Sequence, residues 1–299
     1  MNFLKGLVVS LLSLLLFLSL SLFGLVFMLN QTVLNPDFIT SQVEKLDMSS
    51  LTKELIIPQL PSEFKDNEFV TKALDNTFTD LEPRLKEQAG NAIHQSYDYL
   101  LGKSQSLSFT ISLEQFKTTL RDNLRQTFLA NPPRELRGMS PAQLDQYFDQ
   151  FYNQFATEIP SSIEVDENML DPVVITQLEQ ARQIIGYVQL GFWALIGAMV
   201  VLILGIFLIQ RNLRATSRSL GITFLIYGIL GYLMIFVTKS WFMPQIPLPQ
   251  LPIPALESWA LQFTKDLISP LEIFGIGVAA VGVALIAASF FLKPRQESV

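Results

Sequence analysis

The chain has 299 residues, of which 49% are hydrophobic and 16% are charged, against about 25% charged residues in ordinary soluble domains. It contains no cysteine, which excludes disulfides, thiolate nucleophiles, zinc–thiolate sites and iron–sulfur clusters. The net charge is −6, and nucleic acid is not an expected partner of so acidic a chain. We predict a mainly α-helical membrane protein with four transmembrane helices and a helical domain outside the cytoplasm.

The first element is an uncharged run at 6–29, within a transmembrane helix that we place at 1–30. A helix needs about 20 apolar residues to cross the hydrocarbon layer, and in lipid the helix is the form that satisfies the backbone of a single segment. The run exceeds the roughly 7–15 apolar residues of a signal peptide, and no small-residue cleavage site follows it. We interpret it as an uncleaved signal anchor, with a cleaved signal peptide as the alternative.

The region 31–182 is predicted to form the extracytoplasmic helical domain, inserted between the first two transmembrane helices. It holds 23 acidic and 13 basic residues, for a net charge of −10. An Asn-Pro pair favours a helix through 37–46. A stripe of apolar residues at helical spacing predicts a second helix over 67–101. Pro83 predicts a kink there or two abutting helices, and Gly102 predicts a C-terminal stop.

Two further helices are predicted within this domain. Ser112 with Gln115 resembles a capping box, and an Asn-Pro-Pro run ends the helix that it starts. Ser140, followed by proline and then by Gln143, opens the next helix, which Pro160 closes. The apolar stripes of these two helices are Leu113, Phe116, Leu120, Leu124 and Phe128, and then Leu144, Phe148, Phe151 and Phe155.

Two short segments are predicted to be strands. Ser106–Ser112 alternates apolar and polar residues, and Ser162–Val165 is the second candidate. We expect the two to pair as a small two-stranded β-ribbon. Such a ribbon is stable only when it packs on other elements, so we expect it to lie against the helices.

The second transmembrane helix, at 183–210, is predicted to continue a stem helix that begins near Pro172. No helix breaker other than glycine interrupts the sequence from there to Ile209, and the side chain of Asp171 can cap the first turn. At 1.5 Å per residue this helix would measure roughly 57 Å. We expect a continuous stem to couple the outer domain rigidly to the membrane.

The last two transmembrane helices are placed at 219–238 and 271–292. A short cytoplasmic loop at 211–218 precedes the third, a second outer segment at 239–270 joins the third to the fourth, and 293–299 forms a tail.

The second outer segment combines a proline-rich run with an amphipathic helix. The prolines of 244–254 favour an extended polyproline II stretch, which we interpret as a rigid connector rather than a docking ligand for a partner. Residues 255–269 have the pattern of an amphipathic helix. Trp241, Phe242 and Trp259 are suited to the level of the lipid headgroups.

The distribution of lysine and arginine predicts the orientation. The loop 211–218 carries three arginines and no acidic residue, and Lys5, Lys293 and Arg295 flank the outermost helices. Because positive residues concentrate on the cytoplasmic side, we expect both termini inside the cell and the acidic domain outside. The predicted location is the cell (plasma) membrane, as a multi-pass protein.

No catalytic, cofactor-binding or metal-binding residue is predicted, and no nucleophile, zinc-protease or nucleotide-binding motif is present. The one histidine, His94, cannot build a histidine-rich metal site alone, so we expect it to be solvated or capping. The densest acidic stretch holds Glu164, Asp166, Glu167 and Asp171. It lacks the spacing of a calcium-binding loop, and we interpret it as a solvated turn.

The transmembrane segments carry no ionisable residue in their interiors, and Gln189 is the strongly polar residue well inside the second. This argues against an ion-coupled transporter. Small residues favour close helix packing within one chain, with a homo-oligomer face as the alternative. They are Gly191, Ala194, Gly197, Ala198, Gly221, Gly228, Gly231, Gly275, Ala279, Ala280, Ala284 and Ala288.

These features favour a non-enzymatic binding, scaffold or sensor-like protein of the lipid bilayer. The outer domain would bind another envelope protein, a lipid or a second copy of the chain. A channel or transporter component is the alternative. An envelope enzyme acting through outer carboxylates is the third hypothesis, and it requires two acidic side chains that converge in a cleft.

Overall fold

The structure is a computed structural model that describes residues 2–51, 68–130, 132, 136, 138–156, 160–245 and 254–292. The predicted tail at 293–299 and most of the proline-rich run at 244–254 lie outside the described residues, as do the side chains of Phe151 and Phe155.

The described residues are mainly helical. The α-helices are α1 (Asn2–Gln31), α2 (Pro36–Glu44), α3 (Met48–Leu51), α4 (Glu68–Leu100), α5 (Glu114–Ala130), α6 (Pro141–Ala156), α7 (Pro172–Gln210), α8 (Leu213–Val237) and α9 (Pro254–Phe291). A π-helical turn (Thr238–Phe242) and a 3₁₀ turn (Met243–Gln245) follow α8. The strands are β1 (Ser108–Ser112) and β2 (Ser162–Asp166).

The chain divides into two compact units. The first, which we call the apolar unit, comprises Met1–Phe38, Ala181–Pro249 and Leu261–Val299. The second, the acidic unit, comprises Ile39–Gln180 and Gln250–Ala260.

Four helices are long and apolar enough to cross a membrane, which confirms the four predicted spans and is the composition of a multi-pass membrane protein. They lie within α1, α7, α8 with its π-helical turn, and α9: Phe3–Gln31, Pro172–Gln210, Leu213–Phe242 and Leu256–Phe291. The predicted long helix is also confirmed, because α7 is unbroken over its 39 residues. Asp171 caps it, since its Oδ1 accepts the N–H of Val173 at 2.8 Å.

The predicted loop at 211–218 is wrong in its extent, because α8 already begins at Leu213. Asn212 caps this helix, and its Oδ1 accepts the N–H of Arg214 at 3.0 Å. The connection from α7 therefore shrinks to two residues. Arg211 has a φ of 49° there, a left-handed conformation that costs a residue with a side chain about 1–2 kcal/mol.

The outer helix predicted at 255–269 and the fourth span predicted at 271–292 belong to one continuous helix, α9, which runs through Pro270. Helix α4 runs through Pro83 in the same way, so the two-helix alternative at Pro83 is wrong. A proline inside a helix removes one backbone hydrogen bond and costs about 3 kcal/mol. Helices of 33 and 38 residues retain enough other bonds and packed surface to stay continuous.

Helices α8 and α9 of the apolar unit approach each other at small residues. A Cβ atom on Gly228 would lie 2.6 Å from the Cβ of Ala279, and one on Gly282 would lie 2.5 Å from a backbone nitrogen of α8. Only residues without a large side chain allow such an approach, so packing within one chain is confirmed at these positions. A Cβ atom would meet nothing within 4 Å at three other small-residue positions, Gly191, Gly197 and Gly231.

The apolar unit has its own core, in which α1, α7 and α8 meet. Its buried residues are Leu16, Leu20, Ile206, Leu220 and Tyr227. Phe274 of α9 packs against this cluster, and its ring centroid lies 6.0 Å from that of Tyr227.

The core of the acidic unit lies among α4, α5 and α6. The predicted stripes are confirmed at Leu120, Leu124, Phe128, Leu144 and Phe148, all of which are buried. Sequence reasoning missed Tyr152, which follows Phe148 by one helical turn on the same face. Tyr152 is buried, and its hydroxyl donates a hydrogen bond to the carbonyl oxygen of Lys117 at 2.6 Å.

The predicted ribbon is confirmed as an antiparallel pair in which Phe109 faces Val165 and Ser112 faces Ser162. Because Ser112 belongs to β1, it does not cap the next helix, and α5 begins at Glu114 instead. The capping box predicted at Ser112 is therefore wrong.

Three other helix ends follow the predictions. The N–H of Asp37 donates to Asn35 Oδ1 at 3.0 Å where α2 begins. Gly102 has a φ of 76° just after α4, a conformation that glycine adopts without strain. The N–H of Ser140 donates to Gln143 Oε1 at 3.0 Å, which is one half of a capping box at the start of α6.

Candidate functional site

A buried polar cluster joins α4 to α5 in the acidic unit. Asn123 Nδ2 donates to Thr77 Oγ1 at 3.3 Å and to Asp80 Oδ2 at 3.0 Å, and the Thr77 hydroxyl donates to the carbonyl oxygen of Ala73 at 2.7 Å. Thr77 and Asn123 are both buried. Because these groups bind one another, the cluster fixes two helices together instead of presenting reactive groups to a substrate.

Two ion pairs connect α5 to α6. The guanidinium of Arg121 lies 2.7 Å from Asp149, and that of Arg125 lies 2.9 Å from Asp145. Arg121 donates a hydrogen bond to the Asp149 carboxylate, and this bond raises the pKa of Arg121 above its ordinary value. Each carboxylate is thus engaged by an arginine of the neighbouring helix, so these pairs connect α5 to α6 and are structural.

The acidic stretch singled out from the sequence organises the local backbone. Glu167 Oε1 accepts the N–H of Leu107 at 2.9 Å and so ties the stretch to the residue just before β1. Asp166 Oδ1 accepts the N–H groups of Asn168 and Met169 at 2.9 and 3.0 Å, and Asp171 caps α7. Three of the four carboxylates therefore serve as caps and ties for backbone N–H groups.

His94 is exposed on α4, and carboxylates precede and follow it on that helix. Glu87 pairs with Arg84 at 3.3 Å, and Asp98 pairs with Lys103 at 3.4 Å. Within the described ranges, no three of the His, Asp and Glu side chains converge as metal ligands. The chain contains no other histidine and no cysteine that could join His94 as a metal ligand.

An exposed apolar surface lies where β2 leads into α7. We call it the ribbon–helix surface and define it by Ile163, Met169, Val173 and Val174, which are 40%, 66%, 63% and 39% exposed. Exposed apolar side chains become informative when several of them lie in one stretch of the surface. The signal in the sequence was the apolar pairs Met169-Leu170 and Val173-Val174 on either side of Asp171. Sequence reasoning noted only the acidic residues there.

An ion pair connects the end of the third span to α9 in the apolar unit. Lys239 Nζ lies 2.6 Å from Glu272 Oε2 and 3.3 Å from Ser269 Oγ, and both charged side chains are about two-thirds buried or more. Sequence reasoning missed this pair because its members are 33 residues apart and stand at the edges of two spans. A lysine just after one span and a glutamate at the start of the next was the available signal.

The polar residue of the second span gives no support to a path through the bilayer. Gln189 lies on an exposed side of α7. The channel alternative needs polar groups that converge around a path, and an outward-facing amide does not contribute to one.

The described residues of the acidic unit thus form a hydrophobic core, two ion pairs between α5 and α6, and an exposed apolar surface. The polar side chains described above form hydrogen bonds or ion pairs with one another or with the backbone. Comparison of the chain with protein families, with curated proteins and with solved structures found no match.

Proposed function

We propose that this multi-pass protein lies in the cell membrane and presents its acidic unit outside the cytoplasm as a non-enzymatic binding domain. The charge distribution supports this orientation. The turn between α7 and α8 is rich in arginine, whereas 31–182 has a net charge of −10. Positive residues favour the cytoplasmic side of a membrane.

The observation that carries the proposal is the ribbon–helix surface. Met169 and Val173 remain 66% and 63% exposed although the unit buries aromatic residues elsewhere. Glu164, Asp166 and Glu167 are close in sequence to these apolar residues, so negative charge accompanies the apolar contact area along this segment. Apolar contact area at the centre of an interface with charges around it is the usual anatomy of a protein-binding site.

The partner that fits this surface is an envelope protein with a basic rim around an apolar patch. A second copy of the acidic unit fits poorly, because like net charges oppose association. An enzyme acting through outer carboxylates also fits poorly, since Asp145 and Asp149 are paired with arginines and Asp166 and Asp171 hold backbone N–H groups.

Site-specific photocrosslinking in native membranes tests the proposal. A photoreactive residue at Met169 should form an adduct with a basic protein, and the yield should fall as salt rises from about 0.05 to 0.5 M because salt screens exposed charges. A photoreactive residue at Lys103, which is equally exposed in the same unit, is the matched control.

Two further variants sharpen this test. Met169→Asp and Val173→Asp, made together, should abolish a crosslink formed from Ile163 while leaving the protein level unchanged. If the adducts from Met169 and Lys103 are the same, or if the adduct from Met169 is a second copy of the chain, the proposed partner class is wrong.

A further inference from the structure

The turn between α7 and α8 concentrates positive charge that the described residues do not neutralise. Arg211, Arg214 and Arg218 lie within eight residues, and within the described part of the chain none of them pairs with an acidic side chain. The sequence holds no Asp or Glu between Glu179 and Glu257. Like charges one helical turn apart repel each other, so an anion close to these arginines would relieve that repulsion.

Two of these arginines line an open groove of about 440 Å³. Arg214 and Arg218 are four residues apart on α8 and therefore project from the same side of the helix. Ser219 also lines the groove, and Ile222 supplies an apolar wall one turn further along. The groove is thus cationic near the start of α8 and apolar towards the membrane-spanning part of that helix.

The hydrogen-bond donors of this groove are side chains and not the backbone N–H groups at the start of α8. Asn212 Oδ1 accepts the N–H groups of Arg214 and Ala215, at 3.0 and 3.4 Å, so these two backbone donors in the first turn of α8 already have a partner. The guanidinium groups remain. A guanidinium donates two parallel hydrogen bonds to a phosphate, and two guanidiniums one turn apart can hold its oxygens together.

We propose that Arg214, Arg218 and Ser219 form a binding site for a phosphate group, namely that of an anionic phospholipid headgroup. Helices α7 and α8 are both long enough to cross the membrane, so the short turn between them lies at the level where headgroups lie. The arginines bind the phosphate, the Ser219 hydroxyl donates to one of its oxygens, and Ile222 contacts the start of an acyl chain. Basic clusters next to membrane spans favour anionic lipids for the same reason.

Lipid retention by the purified full-length protein tests this site. The protein would be exchanged into detergent containing phosphatidylglycerol, which is anionic, or phosphatidylcholine, which has no net charge, and bound lipid would be counted by native mass spectrometry. We expect phosphatidylglycerol to bind at least tenfold more tightly than phosphatidylcholine. Replacing both arginines, Arg214→Gln with Arg218→Gln, should weaken phosphatidylglycerol binding at least tenfold, because each charge-assisted hydrogen bond is strong.

The matched control removes two positive charges from the acidic unit, Arg84→Gln with Lys103→Gln, and should retain the lipid. Replacing the pair with lysine, Arg214→Lys with Arg218→Lys, should give intermediate binding, because charge remains while the bidentate geometry is lost. Both arginines are exposed, so these variants should unfold at the temperature of the wild type without lipid.

Inorganic phosphate distinguishes the two sources of the ligand. Millimolar phosphate should not displace phosphatidylglycerol, because free phosphate lacks the acyl chain that contacts Ile222. If phosphate displaces the lipid, the site binds free phosphate compounds and the lipid assignment is overturned. If the glutamine pair retains phosphatidylglycerol as well as the wild type does, the site itself is overturned. Neither result bears on the partner of the acidic unit.

Discussion

The two units are both helical, yet their exteriors are opposite in character. In the acidic unit the aromatic residue Phe148 is 1% exposed, and ion pairs such as Arg121–Asp149 lie outside the core. In the apolar unit Trp193, Val201 and Leu208 are 66–69% exposed. A continuous apolar exterior of that kind is unfavourable in water and suited to lipid. The exterior of each unit therefore indicates the solvent to which it is suited.

The means of holding helices together differ in the same way. Large side chains fill the space between helices in the acidic unit, where water drives apolar groups together. Lipid gives no such drive, and the apolar unit relies on close backbone approach at Gly228 and Gly282. Removing a large core side chain should therefore destabilise the acidic unit. Adding a side chain at a packed glycine should destabilise the apolar unit.

The largest expected effect is in the acidic core. Phe148→Ala should destabilise this unit by about 3–5 kcal/mol, because it removes a fully buried aromatic ring and leaves a cavity. Tyr147→Ala, which alters a half-exposed neighbour on the same helix, is the control and should cost much less.

Denaturation in urea, followed through Trp259, measures this effect. Trp259 belongs to the acidic unit and donates its Nε1–H to the carbonyl oxygen of Gln42 at 2.8 Å. With Trp193 and Trp241 replaced by phenylalanine, its fluorescence reports on this unit alone. Equal midpoints for Phe148→Ala and Tyr147→Ala would show that the core lies elsewhere.

The next effect concerns the glycines of α8. Gly228→Leu should lower the unfolding temperature in detergent and destabilise the protein by about 1–3 kcal/mol. The Cβ atom of the introduced leucine would lie 2.6 Å from the Cβ of Ala279, so the two side chains would overlap. Gly231→Leu, three residues further along the same helix, should be tolerated because nothing lies within 4 Å of it. If only Gly231→Leu destabilised the protein, that face of α8 would be packed against another chain, and the homo-oligomer alternative would gain support.

The smallest effect is a pH dependence confined to the acidic unit. Burial raises the pKa of Tyr152 above its ordinary value of 10.0. The folded protein therefore holds this proton more tightly than the unfolded chain does. The resulting stability is complete below pH about 10 and is lost as pH rises through the raised pKa.

Tyr152→Phe removes both the titration and the hydrogen bond to Lys117. We expect it to cost about 1 kcal/mol at pH 7 and to flatten the loss of stability above pH 10. Part of the loss should remain, because burial raises the pKa of Tyr97 as well. An unchanged pH profile in urea denaturation would show that Tyr152 is not the group responsible.

The sequence predicted those features that depend on neighbouring residues. Asp171, Asn35 and Gly102 mark helix ends because their side chains or backbone act within a few residues, and the structure has them in those roles. The spans were predictable because lipid requires long uncharged runs.

Two local features were missed: Asn212 caps α8 within a polar segment that resembled a loop, and α9 continues through Pro270. Features that depend on distant contacts were missed as well. The Lys239–Glu272 pair and the exposed ribbon–helix surface both require knowledge of which elements meet or remain uncovered. Periodicity in one segment does not contain that information.

The proposed orientation, with the acidic unit outside the cell and the turn between α7 and α8 inside, is directly measurable because the chain has no native cysteine. Ser104→Cys places a single thiol in the acidic unit, and Ala215→Cys places one at the exposed start of α8. A membrane-impermeant maleimide added to intact cells should label the thiol at position 104 and leave that at 215 unlabelled until the cells are lysed. Labelling at 215 with protection at 104 would show that the proposed orientation is reversed.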